Sequence, residues 1–194
     1  MRRREFVALL GAAAITQPLA VLRAQQKPMP VVGFLSSLSQ SPPLDDAFRR
    51  GLADAGYVDG RNVAIEYRWT EESYDKLPAM AADLVERGAA VIGAFGPPAV
   101  IAAKAGAPAV PIVFVTGADP IKFGFVESFN RPGGNLTGVW LVTTVLAQKR
   151  LELLREMVPR AGTIAFLLNP QNPPSAQQAR DAQTAAARSG SGFS

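Results

Sequence analysis

The 194-residue sequence contains no cysteine and no histidine. Without cysteine there is no disulfide, no thiol nucleophile and no residue to carry the lipid anchor of an exported lipoprotein. Without histidine a Ser-His-Asp triad is impossible, and the loss of both residue types removes the usual zinc-type ligand sets. A serine nucleophile would need lysine or carboxylate as its base, and no motif places one beside it. No dinucleotide glycine spacing and no phosphate-loop lysine occur, so no cofactor is implied. Nor is there a clustered basic face of the kind that binds nucleic acid. The formal charge is +4, but four of the 20 basic residues and one of the 16 acidic ones fall in the first 24 positions. The rest of the chain is close to neutral.

Those first 24 residues read as an address. Arg2-Arg3-Arg4 precede a short apolar stretch, Val7 to Ile15, which Pro18 breaks before Ala24. A basic start, an apolar segment too short to span a bilayer and a small residue at the cut are the parts of a signal peptide. Arg3-Arg4-Glu5-Phe6 also fits the twin-arginine pattern. The expectation is export to the periplasm, cleavage near Ala24 and a product with no lipid anchor.

The chain as a whole is 48% hydrophobic, enough for a real core. Apolar runs and alternating segments predict strands at Val31–Leu35, Val63–Trp69, Ala90–Ala94, Pro111–Val115, Leu136–Leu141 and Thr163–Leu168. Helical spacing predicts helices at Leu44–Ala55, Leu77–Val85, Ala99–Ala105, Ile121–Glu127, Leu146–Val158 and Ser175–Ser189. In the first helix Asp45, Asp46, Arg49, Arg50 and Asp54 are assigned to the solvent side. Strands alternating with helices through short links mean α/β with a mostly parallel sheet, a three-layer α/β/α lobe.

Ligands in such sheets sit beyond the carboxyl ends of the strands. That rule selects Ser36 and Ser37 after the first strand, Trp69 after the second, Gly96 after the third, and Thr116, Gly117 and Asp119 after the fourth. Each has a plainer reading. The serines satisfy the loop backbone or donate to a carboxylate. Gly96-Pro97-Pro98 is a tight turn, or a helix start that favours an anion. Trp69 packs the edge of the lobe or stacks on a ligand. Asp119 caps a short helix or meets an ammonium group.

Several phrases recur in a familiar order: Val32-Gly-Phe-Leu35, Phe48-Arg-Arg-Gly-Leu52, Gly56-Tyr-Val-Asp-Gly-Arg-Asn62 and Ile65-Glu-Tyr-Arg-Trp69. They continue with Pro111-Ile-Val-Phe114, Asp119-Pro120, Arg131-Pro-Gly-Gly-Asn-Leu-Thr-Gly138, Lys149-Arg-Leu-Glu-Leu-Leu-Arg155 and Asn169-Pro170. Together they resemble the ABC-transporter substrate-binding proteins related to tryptophan- and tyrosine-type periplasmic receptors. The resemblance implies a type I periplasmic binding fold, two α/β lobes closing on a small solute such as an amino acid, and an ABC permease as partner. On this reading residues 28–141 form the first lobe, with the hinge first crossed near Thr137–Thr144. Residues 142–194 are then the hinge and an incomplete start of the second lobe, so ligand binding by this chain should be weak or absent. An exported α/β enzyme using Ser36 or Asp119 is the alternative from another class. A binding protein that presents its ligand to a sensor is a third.

Overall fold

The computed structural model describes residues 29–71, 73–143, 146–188 and 192–193. The leader expected over residues 1–24 lies outside them. In chain order the elements are β1 (Val31–Ser36), α1 (Pro42–Asp54), β2 (Ala64–Trp69), α2 (Leu77–Glu86) and β3 (Ala89–Phe95). Then come α3 (Pro97–Gly106), β4 (Ile112–Thr116), β5 (Leu136–Trp140), α4 (Ala147–Met157), β6 (Thr163–Ile164), α5 (Ser175–Arg188) and β7 (Gly192–Phe193). A 3-10 turn, Tyr74–Lys76, leads into α2. None of the described helices is long and apolar enough to cross a membrane.

The first five strands form one sheet in the order β2-β1-β3-β4-β5, and every neighbouring pair is parallel. The parallel direction follows from the helices, since a chain leaving one strand must recross the sheet before starting the next. The order reverses between β1 and β3, so the carboxyl ends of these two strands flank the topological switch point.

The two faces are built differently. On one, α2 and α3 press alanines, leucines and valines onto Leu35, Ile92, Ala94, Ile112 and Phe114, all buried. Gly33 of β1 permits this closeness, because a Cβ there would stand 3.0 Å from a Leu84 methyl. On the other face, α1 contributes Phe48 to an aromatic cluster centred on Phe34. The Phe34 ring stacks on Phe95 at 4.3 Å and meets Phe48 edge-on at 5.0 Å, with Tyr67 at 5.2 Å. Asp45 departs from expectation. It is 5% exposed and accepts from the Trp69 indole Nε1 at 3.4 Å. Its place in the first turn of α1 turns it inward over the end of β2, not toward solvent.

The Gly56–Asn62 phrase is a molded turn between α1 and β2. Asn62 donates through Nδ2 to the Gly56 carbonyl at 2.8 Å and accepts from the Val58 N–H at 2.7 Å, while Asp59 accepts from the Ile65 N–H at 3.0 Å. Asn135 acts similarly at the entry to β5, donating to the Ala107 and Val110 carbonyls. These side chains replace backbone partners that a short connection cannot supply.

Two expected elements differ. Ile121–Glu127 is a series of turns instead of a helix, closed by bonds such as Phe123 N–H to the Asp119 carbonyl. Gly124 takes φ +65° there, which a continuing right-handed helix does not allow. The Thr163–Leu168 strand pairs only over Thr163–Ile164, which meets Gly192–Phe193 of β7 in parallel. A second, smaller apolar cluster joins Leu151 of α4 to Ala185 and Ala186 of α5, with Ile164 against it.

Arg68 of β2 donates from Nε to Asp83 of α2 at 2.8 Å, and Arg87 approaches the same carboxylate at 3.0 Å. Arg68 also reaches Glu66 at 3.2 Å. The hydrogen bonds from Arg68 and then Arg87 hold the Asp83 carboxyl below its ordinary value. A carboxyl depressed in the folded state stabilises the fold above its unfolded pKa, and the benefit is lost as pH falls through the folded one. The melting temperature should therefore drop on acidification below the ordinary carboxylate range. Asp83→Asn should remove part of that drop, and added salt should weaken it because the group is exposed. Thermal melts of both proteins across pH check this.

Candidate functional site

Because all five strands run in one direction, their carboxyl ends share one edge of the sheet. Ser36, Ser37, Trp69, Gly96, Thr116, Gly117 and Asp119 all lie along it. Register places Ser36 beside both Trp69 and Phe95, and Thr116 beside Trp140.

The seven residues separate by what they touch. Ser36 is fully buried, and its Oγ donates to the Leu38 carbonyl and accepts the Leu38 N–H at 3.1 Å. Thr116 is 1% exposed and its Oγ1 accepts from the Ala118 N–H at 3.2 Å. Both hydroxyls therefore shape the loops that leave their strands. Trp69 is half-buried and stacks one face of its ring on Tyr67 at 5.1 Å, with the rings nearly parallel.

Ser37 and Gly96 form the centre of the edge, at the switch point. The Ser37 N–H and Oγ both donate to the Phe95 carbonyl, at 3.0 and 3.2 Å. Gly96 is the N-cap of α3 at φ +87° and ψ 150°, a region that side chains with a Cβ avoid. A Cβ on Gly96 would lie 2.1 Å from Ser37 Oγ, so the missing side chain is what lets the two loops meet. As an anion site the helix start is thin, because Pro97 and Pro98 carry no N–H and the Val100 N–H is already bonded to the Gly96 carbonyl.

The open part of the edge is the loop after β4. Asp119 accepts from the Ile121 and Lys122 N–H groups at 3.0 and 3.1 Å, both through Oδ1. Its second oxygen, Oδ2, is left available. Beside it a small gap of about 40 Å³ opens between Asp119, Lys122 and Phe123 on one side and Pro174, Gln177 and Asp181 on the other. The start of α5 thus faces the end of β4, and Asn169 spans the same divide to the Tyr74 hydroxyl at 3.4 Å. Among the described residues no group of three or more acidic, histidine or cysteine side chains is arranged to hold a metal.

Sequence reasoning missed three groups here. Gln177 and Asp181, one helical turn apart on α5, carry no signal beyond the helical spacing of Ser175–Ser189. Asp45 was assigned to solvent. Trp140, at the end of β5, donates to the Gly117 carbonyl at 3.4 Å and stacks on Phe129 at 5.6 Å. The strand-end rule, applied to β5 as to the other four, would have found Trp140.

Comparison with known proteins places the chain. The description "ABC transporter substrate binding protein" matches residues 40–191. A tyrosine-binding protein from Clostridioides difficile is 30% identical over 138 residues, covering 70% of this chain and 39% of the relative. Among solved structures, an ABC domain in complex with L-Trp from Streptococcus pneumoniae superposes with a TM-score of 0.72 at 27% identity. That match covers 85% of this chain and 56% of the other. A ligand-free, open substrate-binding protein with adhesive properties from Clostridium difficile gives 0.59 at 25% identity, with the same coverages. The chain spans about half the length of these solved relatives. It belongs to the ABC transporter substrate-binding protein family.

Proposed function

We propose that the chain is the solute-binding part of an ABC uptake system, holding an amino acid or a similar small solute at the carboxyl edge of its sheet without changing it. The observation that carries this reading is Asp119. Its Oδ1 is spent on the turn, and the residue lines a gap walled on the far side by α5. A carboxylate so placed suits the ammonium group of an amino acid. Ser37 and Gly96 supply close backbone approach at the switch point, Gly117 extends the floor, and Ser36 and Thr116 fix the loops from beneath. Trp69, stacked on Tyr67 by one face, closes the β2 end of this edge. The relatives named for tyrosine and for L-Trp make aromatic amino acids the first to test.

The same reading includes delivery to an ABC permease and export by a cleavable leader over residues 1–24. Titration calorimetry against the common L-amino acids, with product analysis, tests it. Reversible binding of at least one, unaltered after incubation, is expected. Failure of every member to bind at about 10 mM, or chemical conversion of any, contradicts it.

A further inference from the structure

Tyr67 and Trp69 stand two residues apart on β2, so they project from the same side of the sheet. Their rings lie 5.1 Å apart and within 8° of parallel, so the stack runs along the strand. Tyr67 covers the ring face of Trp69 that looks toward the amino end. The opposite ring face looks past the end of β2, beyond the position where register sets Ser36 alongside. Glu71, the next residue on that side, has left the strand at φ +57°, so the stack ends at Trp69.

Two further contacts fix the indole. Asp45, buried in the first turn of α1, accepts from Nε1 at 3.4 Å. The buried Phe34 ring lies 6.3 Å away, tilted by 54°. A carboxylate is costly to bury, and this one holds a side chain at the rim of the sheet. The Tyr67 hydroxyl is buried without a hydrogen-bond partner among the described residues, so the ring is what that position contributes.

We propose that Trp69 is a specificity-determining residue of the site. Its outward ring face is the platform for a flat ring on the solute, and Asp45 is the positioning residue that sets the angle of that platform. This rests on the reading of Asp119 as partner of the ammonium group. β1 and β3 lie between β2 and β4, so the ends of the latter two stand about 14 Å apart. A solute held at both must be long, with its ammonium group at one end and its ring at the other. An aromatic amino acid fills that span together with the two side chains, and a short aliphatic one does not reach Trp69. A ring pair of this kind is worth roughly two- to tenfold in affinity beyond the area it covers.

Proton NMR of the 194-residue protein tests this. The chain has two tryptophans, Trp69 and Trp140, and Trp69→Phe identifies which indole N–H signal belongs to which. Titration with L-tyrosine should move the Trp69 signal upfield to saturation, through the ring current of the stacked solute. By calorimetry, Trp69→Leu should weaken L-tyrosine binding by roughly two- to tenfold, and Trp69→Phe, which keeps a ring, by less. Asp45→Ala should weaken it similarly, and Asp45→Asn, which keeps an acceptor oxygen, should restore it whatever either does to the melting temperature. L-tyrosine binding with the Trp69 signal unmoved, or with full affinity in Trp69→Leu or Asp45→Ala, would overturn the proposal and leave the carboxyl-edge reading standing. So would a parent that binds only aliphatic amino acids. A parent that binds no amino acid would overturn both.

Discussion

Phe34→Ala should destabilise the fold by about 3–5 kcal/mol, enough to unfold much of the population of a marginal domain. Phe34 is 0% exposed and lies on β1, which pairs with both β2 and β3. Its ring touches the Phe48, Tyr67 and Phe95 rings, and Trp69 lies 6.3 Å away. Removing it opens a void among rigid rings that cannot collapse inward without moving the strands that carry them. Phe34→Leu keeps most of the volume and should cost much less. Urea titration separates the two, and equal midpoints for Phe34→Ala and the parent would show that the aromatic cluster is not the centre of this face.

Gly96→Val should be nearly as damaging, by another route. Two penalties add: a conformation at φ +87° that costs about 1–3 kcal/mol for a residue with a Cβ, and a contact that forces Ser37 away from the Phe95 carbonyl. The loops at the switch point must then separate. Ligand affinity should fall by about tenfold or more, while Gly88→Val, also at positive φ but at the opposite edge of the sheet with no atom near its Cβ, should lose stability alone. Denaturant titration and calorimetry on both variants distinguish these outcomes. A Gly96→Val protein that binds as the parent does would remove the switch point from the site.

The five strands of the main sheet and the three helices that cover it were legible because each carries its own signal. Val31–Leu35 is a continuous apolar run, and a run of that length is buried on both faces. Gly56 and Gly88 mark helix ends by the left-handed turn they take. The Ile121–Glu127 turns were not legible. The apolar spacing there is helical, but Gly124 in the middle of the segment takes φ +65°, and Phe123 and Phe125 pack toward each other at 5.8 Å. The inward turn of Asp45 was hidden for a related reason. Its partner, Trp69, is 24 residues away, and nothing local announces the contact.

The candidate site divides along the same line. The strand-end rule located the edge, and Gly96 and Asp119 lie on it. It could not separate Ser36 and Thr116, whose hydroxyls are turned into their own loops, from groups that face the gap. That distinction depends on side-chain burial. The facing wall of α5 escaped as well, since it depends on how the segment after β5 folds back toward the sheet.

Backbone amide shifts during titration with L-tyrosine and L-tryptophan give the most direct test. The account predicts saturable shifts at Ser37, Gly96, Gly117 and Asp119, together with Gln177 across the gap, and little change at Gly60, Gly88 and Asn135 at the other end of the sheet. Shifts confined to that opposite end, or none at the carboxyl edge when the ligand is bound, would contradict it.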